Sequence, residues 1–171
     1  MDRLLRAVDE EGRTQINQYD GEGRLTYAKD RSGNETWKDY DFGGYLKTER
    51  RHYASASGIA NVNTTARYTY DSLGRLLETR KLDDQARLLA RETTNYQDTP
   101  VGLAITKTDG YGFSKREQHD LNGQVIASEE IDPSGHATAR TTQTYDAAGQ
   151  LTQIGTVDGS RDRFEYDDLG R

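Results

Sequence analysis

Residues 65–79 read TARYTYDSLGRLLET, and the fold turns on what Tyr70-Asp71-x-x-Gly74-Arg75-Leu76 is for. An aspartate followed three residues later by glycine is turn chemistry. The carboxylate accepts hydrogen bonds from nearby backbone amides, and glycine tolerates a positive φ that a Cβ would oppose. The stretch predicts a β-hairpin with a three-residue loop, Ser72-Leu73-Gly74, closed by a G1 bulge at the glycine, with Asp71 facing Arg75. Counting outward sets Tyr70 opposite Leu76. Strict alternation then puts Tyr68, Tyr70, Leu76 and Glu78 on one face, and Thr69, Arg75, Leu77 and Thr79 on the other.

The phrase recurs as Tyr19-Asp20-x-x-Gly23, Tyr40-Asp41-x-x-Gly44, His119-Asp120-x-x-Gly123, Tyr145-Asp146-x-x-Gly149 and Tyr166-Asp167-x-x-Gly170. Successive copies lie 21, 30, 49, 26 and 21 residues apart, and the long gap divides at Tyr96-Gln97-Asp98, a degenerate copy. Asp2-Arg3-Leu4-Leu5 aligns with Gly74-Arg75-Leu76-Leu77. Residues 1–171 therefore read as about seven partial or full repeats with both ends inside a repeat, a piece of a longer array. A second turn follows in most copies: Asp9 to Gly12, Asp30 to Gly33, Asp132-Pro133-Ser134-Gly135 and a shorter Asp158-Gly159. Each unit becomes strand, turn, strand, turn. The expected fold is all-β, an antiparallel meander of stacked hairpins in which tyrosine and leucine ladders bury the seams between units.

Two stretches interrupt the register. Residues 52–61, small and polar, read as a loop insertion that lengthens one hairpin. Residues 76–95 are rich in helix formers, yet flanking tyrosines keep the repeat register, so two strands hinged near Asp83-Asp84-Gln85 are expected instead.

Composition narrows the function. A net charge of −6 and a pI near 5.1 offer no basic patch for nucleic acid. No stretch is long and apolar enough for a transmembrane helix, and the first residues lack the apolar core of a signal peptide. Without cysteine there is no disulfide framework, thiol catalysis or Cys-based zinc site. Leu, Ile, Val and Phe are as scarce as in disordered chains. The 11 tyrosines, in register with glycines, argue for order with a polar, tyrosine-rich core.

The phrases YDGEGRL, YDSLGRLLETR, YDAAGQLTQIGTVDG and YDDLGR resemble the YD repeats of RHS-type proteins, which include shell components of Tc toxin complexes, bacterial wall-associated and contact-dependent toxins, and teneurins. The resemblance covers nearly the whole chain. It implies a long sheet that curves or spirals to form part of a shell, secreted or at the cell surface, with adjacent repeats and an encapsulated C-terminal effector as partners. His119 stands where the family has tyrosine, Tyr45 where it has arginine, and Gln97 where it has aspartate. Family toxins end their shell at a self-processing D-P-x-G-L element. Here Asp132-Pro133-Ser134-Gly135 precedes His136 and further YD copies, so it reads as an ordinary turn.

Catalytic patterns are missing from the sequence. The turn aspartates do not follow EF-hand spacing. Asp83-Asp84 and Asp167-Asp168 are adjacent, so they cannot converge across a glycosidase cleft. His52, His119 and His136 lack metal-ligand spacing or a nucleophile elbow. Gly12, Gly21 and Gly23 lack the glycine spacing and the Lys-Ser/Thr pair of a phosphate loop. The reading is a structural shell segment without catalytic, metal or cofactor residues. The alternative is an adhesion module whose tyrosines stack on surface glycans, which would concentrate in one or two deviant units.

Overall fold

The computed structural model describes residues 3–54, 62–167 and 169–171, and within them the chain forms strands and turns without a helix. Two compact units divide at Arg91 and Glu92. The first holds β1 (Arg6–Val8), β2 (Thr14–Tyr19), β3 (Leu25–Lys29), β4 (Glu35–Tyr40), β5 (Leu46–Tyr53), β6 (Val62–Tyr70), β7 (Leu76–Leu82) and the start of β8 (Leu88–Thr99). The second holds the rest of β8, then β9 (Gly102–Asp109), β10 (Ser114–His119), β11 (Val125–Ile131), β12 (Ala137–Tyr145), β13 (Leu151–Thr156) and β14 (Arg161–Arg163).

Within each unit the strands lie side by side in chain order with antiparallel register. Each strand touches only its sequence neighbours, so no second layer of described residues covers either face. The burial pattern follows from that. Among the described residues only Leu82 and Ala104 are buried apolar side chains, and Glu49 and Thr94 are buried polar ones. Backbone ladders and cross-strand pairs, not an enclosed core, hold each unit together.

One turn geometry makes nearly every corner. At the 71–74 corner the Gly74 amide donates to the Asp71 carbonyl at 3.0 Å, and the Asp71 amide donates to the Arg75 carbonyl at 3.0 Å. Asp71 Oδ1 accepts the amides of Leu73 and Arg75, each at 2.9 Å, and Gly74 takes φ +78°. The same two backbone bonds recur at Asp9, Asp20, Asp30, Asp41, Asp83, Asp109, Asp120, Asp132, Asp146 and Asp167. The corner starting at Thr156 is also full length: Asp158 and Gly159 are its third and fourth residues, so this turn is not the shorter one expected.

The expected face assignment needs a correction. Tyr70 pairs with Leu76, but Thr69 pairs with Glu78 and Tyr68 with Thr79, so Leu77 is an extra residue. This bulge resets the alternation: Thr79 shares the tyrosine face and Glu78 lies on the opposite one. The identical shift follows Leu25, Leu46, Val125 and Leu151, each the residue paired with the motif tyrosine or histidine.

Other expectations also shift. Residues 76–95 are indeed two strands, joined at Asp83–Arg87, where tertiary pairing overrides helix propensity. Tyr96 is not a motif tyrosine: it lies mid-strand opposite Ile105, and the chain reverses through Pro100 and Val101 between Thr99 and Gly102. In the 52–61 loop insertion, His52 and Tyr53 are strand residues paired with Asn63 and Val62, and residues 55–61 lie outside the described residues.

Candidate functional site: the tyrosine–glycine seam

The motif aromatics Tyr19, Tyr40, Tyr70, His119 and Tyr145 each end a strand, one residue before the turn aspartates Asp20, Asp41, Asp71, Asp120 and Asp146. Tyr166 and Asp167 follow β14 in the same relation. The turn glycines Gly23, Gly44, Gly74, Gly123, Gly149 and Gly170 adopt φ between +76° and +86°. Because every second turn is of this kind, they share one edge within each unit.

Across that edge each repeat holds its predecessor. The Tyr40 hydroxyl donates to the Leu25 carbonyl at 2.9 Å and the Tyr70 hydroxyl to the Leu46 carbonyl at 2.9 Å. In the second unit Tyr145 donates to Val125 at 2.8 Å and Tyr166 to Leu151 at 2.9 Å. The acceptor is always the residue that opens the strand after the preceding turn. Burial raises the Tyr70 phenol above its ordinary value, with the Tyr68 and Asp41 charges adding to the effect, so the hydroxyl stays a donor across the physiological range.

Four of the residues that follow a turn glycine, Arg24, Tyr45, Gln124 and Gln150, reach the other way, onto the following repeat. The Arg24 guanidinium lies 4.8 Å from the centre of the Tyr40 ring and next to Gly44. Tyr45, in the family's arginine position, stacks on Tyr70 at 5.1 Å and 29° and covers Gly74. Arg3 does the same over Tyr19 and Gly23. Gln124 donates to the Gly149 carbonyl at 2.9 Å, and Gln150 lies against Gly170. At Gly23, Gly44, Gly74, Gly149 and Gly170 the glycine is thus required twice, for its φ and for the arm that rests on its Cα, whereas Gly123 has open space around it. Nothing in a single copy of the motif signals this arm, because its partner belongs to the next copy.

The turn carboxylates are engaged too. Arg24 Nε and Arg75 Nε each lie 2.7 Å from the aspartate of their own turn. The Arg24 guanidinium and amide hold Asp20 below the usual carboxylate value. At Asp71 burial opposes ionisation, but hydrogen bonds from the Arg75 amide and side chain and the Leu73 amide outweigh it and lower the pKa. Asp158, bonded by the Ser160 and Thr156 hydroxyls and the Ser160 amide, drops to about 2.

His119 departs from the pattern. Its Nδ1 lies 3.1 Å from the Gly123 carbonyl, while its buried Nε2 has no hydrogen-bond partner among the described residues. The imidazole is too short to reach back as tyrosine does. At the Asp132 turn, the Ser134 hydroxyl donates to Asp132 at 2.6 Å and lies 2.7 Å from His136 Nδ1. Its one proton is committed to the aspartate, so the imidazole donates rather than accepts, the reverse of a nucleophile–base pair. His52 Nδ1 meets Asn63 at 2.7 Å. The Asp109-Gly110-Tyr111-Gly112 turn carries the same D-x-x-G signal but was not among the expected turns, and the Asp83 turn, expected as a hinge, has Ala86 in the glycine position.

These features define a class: a repeat array of tyrosine-clamped antiparallel hairpins. The RHS Repeat family model matches residues 119–161 and 145–171. Residues 119–171 thus carry RHS repeats, and the same turn recurs upstream at Asp20, Asp41 and Asp71. No curated protein matches it. Among solved structures it is similar to the TcdB2–TccC3–Cdc42 crystal structure, at 16% identity over 91% of this chain and 10% of that one, with a TM-score of 0.48. The TcdB2–TccC3 structure without its hypervariable C-terminal region matches at 16% identity over 91% and 10%, with a TM-score of 0.49. The Tc holotoxin pore of Photorhabdus luminescens matches at 17% identity over 86% and 9%, with a TM-score of 0.43. The chain therefore spans about a tenth of the length of these structures' chains. Among the described residues no helix is long and apolar enough to cross a membrane.

Proposed function

We propose that this chain is a length of wall: a structural segment of an RHS-type shell that encloses or scaffolds a toxin or effector cargo, acting after export or at the cell surface and carrying no catalysis of its own. The observation behind this reading is the seam. Tyr40, Tyr70, Tyr145 and Tyr166 donate to the repeat before them, and Arg24, Tyr45, Gln124 and Gln150 rest on the repeat after them. The well-formed polar groups are spent on joining repeats, as a wall requires. The partners of such a wall are adjacent repeats and the cargo they surround.

Protease protection tests the proposal. In the full-length protein that carries this array, the surrounded segment should resist proteinase K until denaturant unfolds the repeats. The Tyr70→Phe and Tyr145→Phe substitutions together should shorten that protection. If the segment is cut at the rate of a free peptide while circular dichroism shows the repeats folded, enclosure is wrong.

A further inference from the structure

The motif copy at residues 119–123 lacks contacts that the other copies of the second unit have. His119 does not reach back to the preceding repeat, and Gly123 has open space around it where Gly149 and Gly170 are each covered by an arm. Its remaining side-chain tie along this edge runs forward, from Gln124 to the Gly149 carbonyl at 2.9 Å. The same corner carries the chain's single Asn-Gly step, Asn122-Gly123.

Asn122 is exposed. Its backbone amide donates to Asp120 Oδ1 at 2.9 Å, but its side-chain amide has no hydrogen bond among the described residues. The side chains of Asn17, Asn34 and Asn63 are bonded, to the Leu4 carbonyl, Asp30 and His52 respectively, and each of these asparagines precedes a residue with a bulky or branched side chain. Asn95 precedes Tyr96.

That difference is chemical. The amide carbon of an asparagine and the backbone nitrogen of the next residue can close a five-membered ring, which a following side chain hinders and glycine does not. At Asn122 the Gly123 nitrogen gives its proton to solvent base and bonds to Cγ. The Cγ–Nδ2 bond breaks, and Nδ2 leaves as ammonia with a proton from water. Water then opens the resulting succinimide. Attack at Cγ yields aspartate, whereas attack at the backbone carbonyl carbon yields isoaspartate, with the chain rerouted through Cβ and Cγ. The only co-reactant is water. The Gly123 amide first has to release the Asp120 carbonyl, to which it donates at 3.1 Å. One exposed hydrogen bond is worth so little net that the folded chain should react about tenfold more slowly than the unfolded one.

We propose that Asn122 is a self-modification site that deamidates through Gly123 in the folded protein, and that the isoaspartate formed slackens the joint to the following repeat. The extra backbone carbon enters the loop that Asp120 closes through its bonds to Asn122, Gly123 and Gln124, and Gln124 is the arm that holds Gly149. This goes beyond the wall reading and does not depend on it.

The test is to age the 171-residue chain in buffers one pH unit apart, with a sample in urea to give the unfolded rate. Peptide mapping by mass spectrometry should show oxygen replacing NH at Asn122 and not at Asn17, Asn34, Asn63 or Asn95, and an isoaspartyl methyltransferase should label the same peptide. The rate should rise roughly tenfold over the pH unit, because the nucleophile is the deprotonated amide. The aged chain should show a lower urea midpoint than the fresh one. Asn122→Gln, whose longer side chain would have to close a six-membered ring, should stay unmodified and keep its midpoint over the same period. The proposal is overturned if folded Asn122 reacts more than roughly a hundredfold more slowly than in urea, or if the other four asparagines react as fast. It is equally overturned if aged and fresh chains share a midpoint, or if Asn122→Gln loses stability on ageing as the parent does.

Discussion

The hydroxyl of Tyr70 donates to the carbonyl of Leu46 at 2.9 Å, joining residues 24 apart in sequence. The acceptor sits in the previous hairpin of the same edge, so the phenol ties two repeats while its ring stacks on Tyr45. Tyrosine does what phenylalanine would do and adds a directed bond.

Tyr70→Phe keeps the ring and removes the bond, leaving the Leu46 carbonyl without that donor. The expected loss is about 1 kcal/mol, the usual net value of one partly buried hydrogen bond. It would be read as a lower urea midpoint with an unchanged slope. An unchanged midpoint would show that the clamp carries no energy.

Three glycine-to-alanine changes should rank in order. Gly123, at φ +82° with open space around it, should show only the left-handed backbone cost of roughly 1–2 kcal/mol. Gly74 shares that φ, but a Cβ there also displaces the Tyr45 ring from its stack on Tyr70, so it should cost more. Gly102 should cost most: at φ +138° its Cβ would strike the His119 carbonyl and the Asp120 backbone, which cannot swing aside. More than about 3 kcal/mol is expected there from strain and overpacking combined. Thermal unfolding of the three variants gives the order directly, and equal losses would refute the crowding argument.

Ala86 is the one non-glycine residue at positive φ among the described residues, at +61°. Ala86→Gly should therefore stabilise the protein by about 0.5–1 kcal/mol, the relief of left-handed strain less the added chain entropy. A lower melting temperature for this variant would mean that the Asp83 turn is held by something other than the shared turn geometry.

Stability should fall in acid through the turns. Asp20, Asp71, Asp83, Asp132, Asp158 and Asp167 all have carboxyls held below the ordinary value of 3.8. A depressed folded-state pKa gives stability that is complete above the unfolded value and lost as pH falls through the folded one. For Asp158 that window runs from 3.8 down to about 2. Denaturant midpoints measured from neutral pH downward should stay level until just above pH 4 and then decline. A decline beginning well above pH 4 would show that the turn carboxylates are not its source.

The repeat, the meander and the corner chemistry were legible because the D-x-x-G signal is local: Asp71 bonds amides two and four residues away. Strand phase was not legible. The extra residue at Leu77 reverses which face Glu78 and Thr79 occupy, and a bulge leaves no mark in side-chain type. Tyr96 misled for a related reason, since its hairpin turns through Pro100 and Val101 without any aspartate cap. The seam was half visible. Tyrosine and glycine announce themselves, but the arm residues Arg24, Tyr45, Gln124 and Gln150 share a position rather than a chemistry.

The backward reach of the tyrosines also gives the array a direction in time. A chain leaving the ribosome exposes Leu25 before Tyr40, Leu46 before Tyr70 and Leu151 before Tyr166. Each acceptor has therefore been made, and its hairpin can already be closed, when its donor emerges. Folding can accrete onto the finished end without waiting for distant sequence, and a strand that depends only on its predecessor needs no completed whole to find its place.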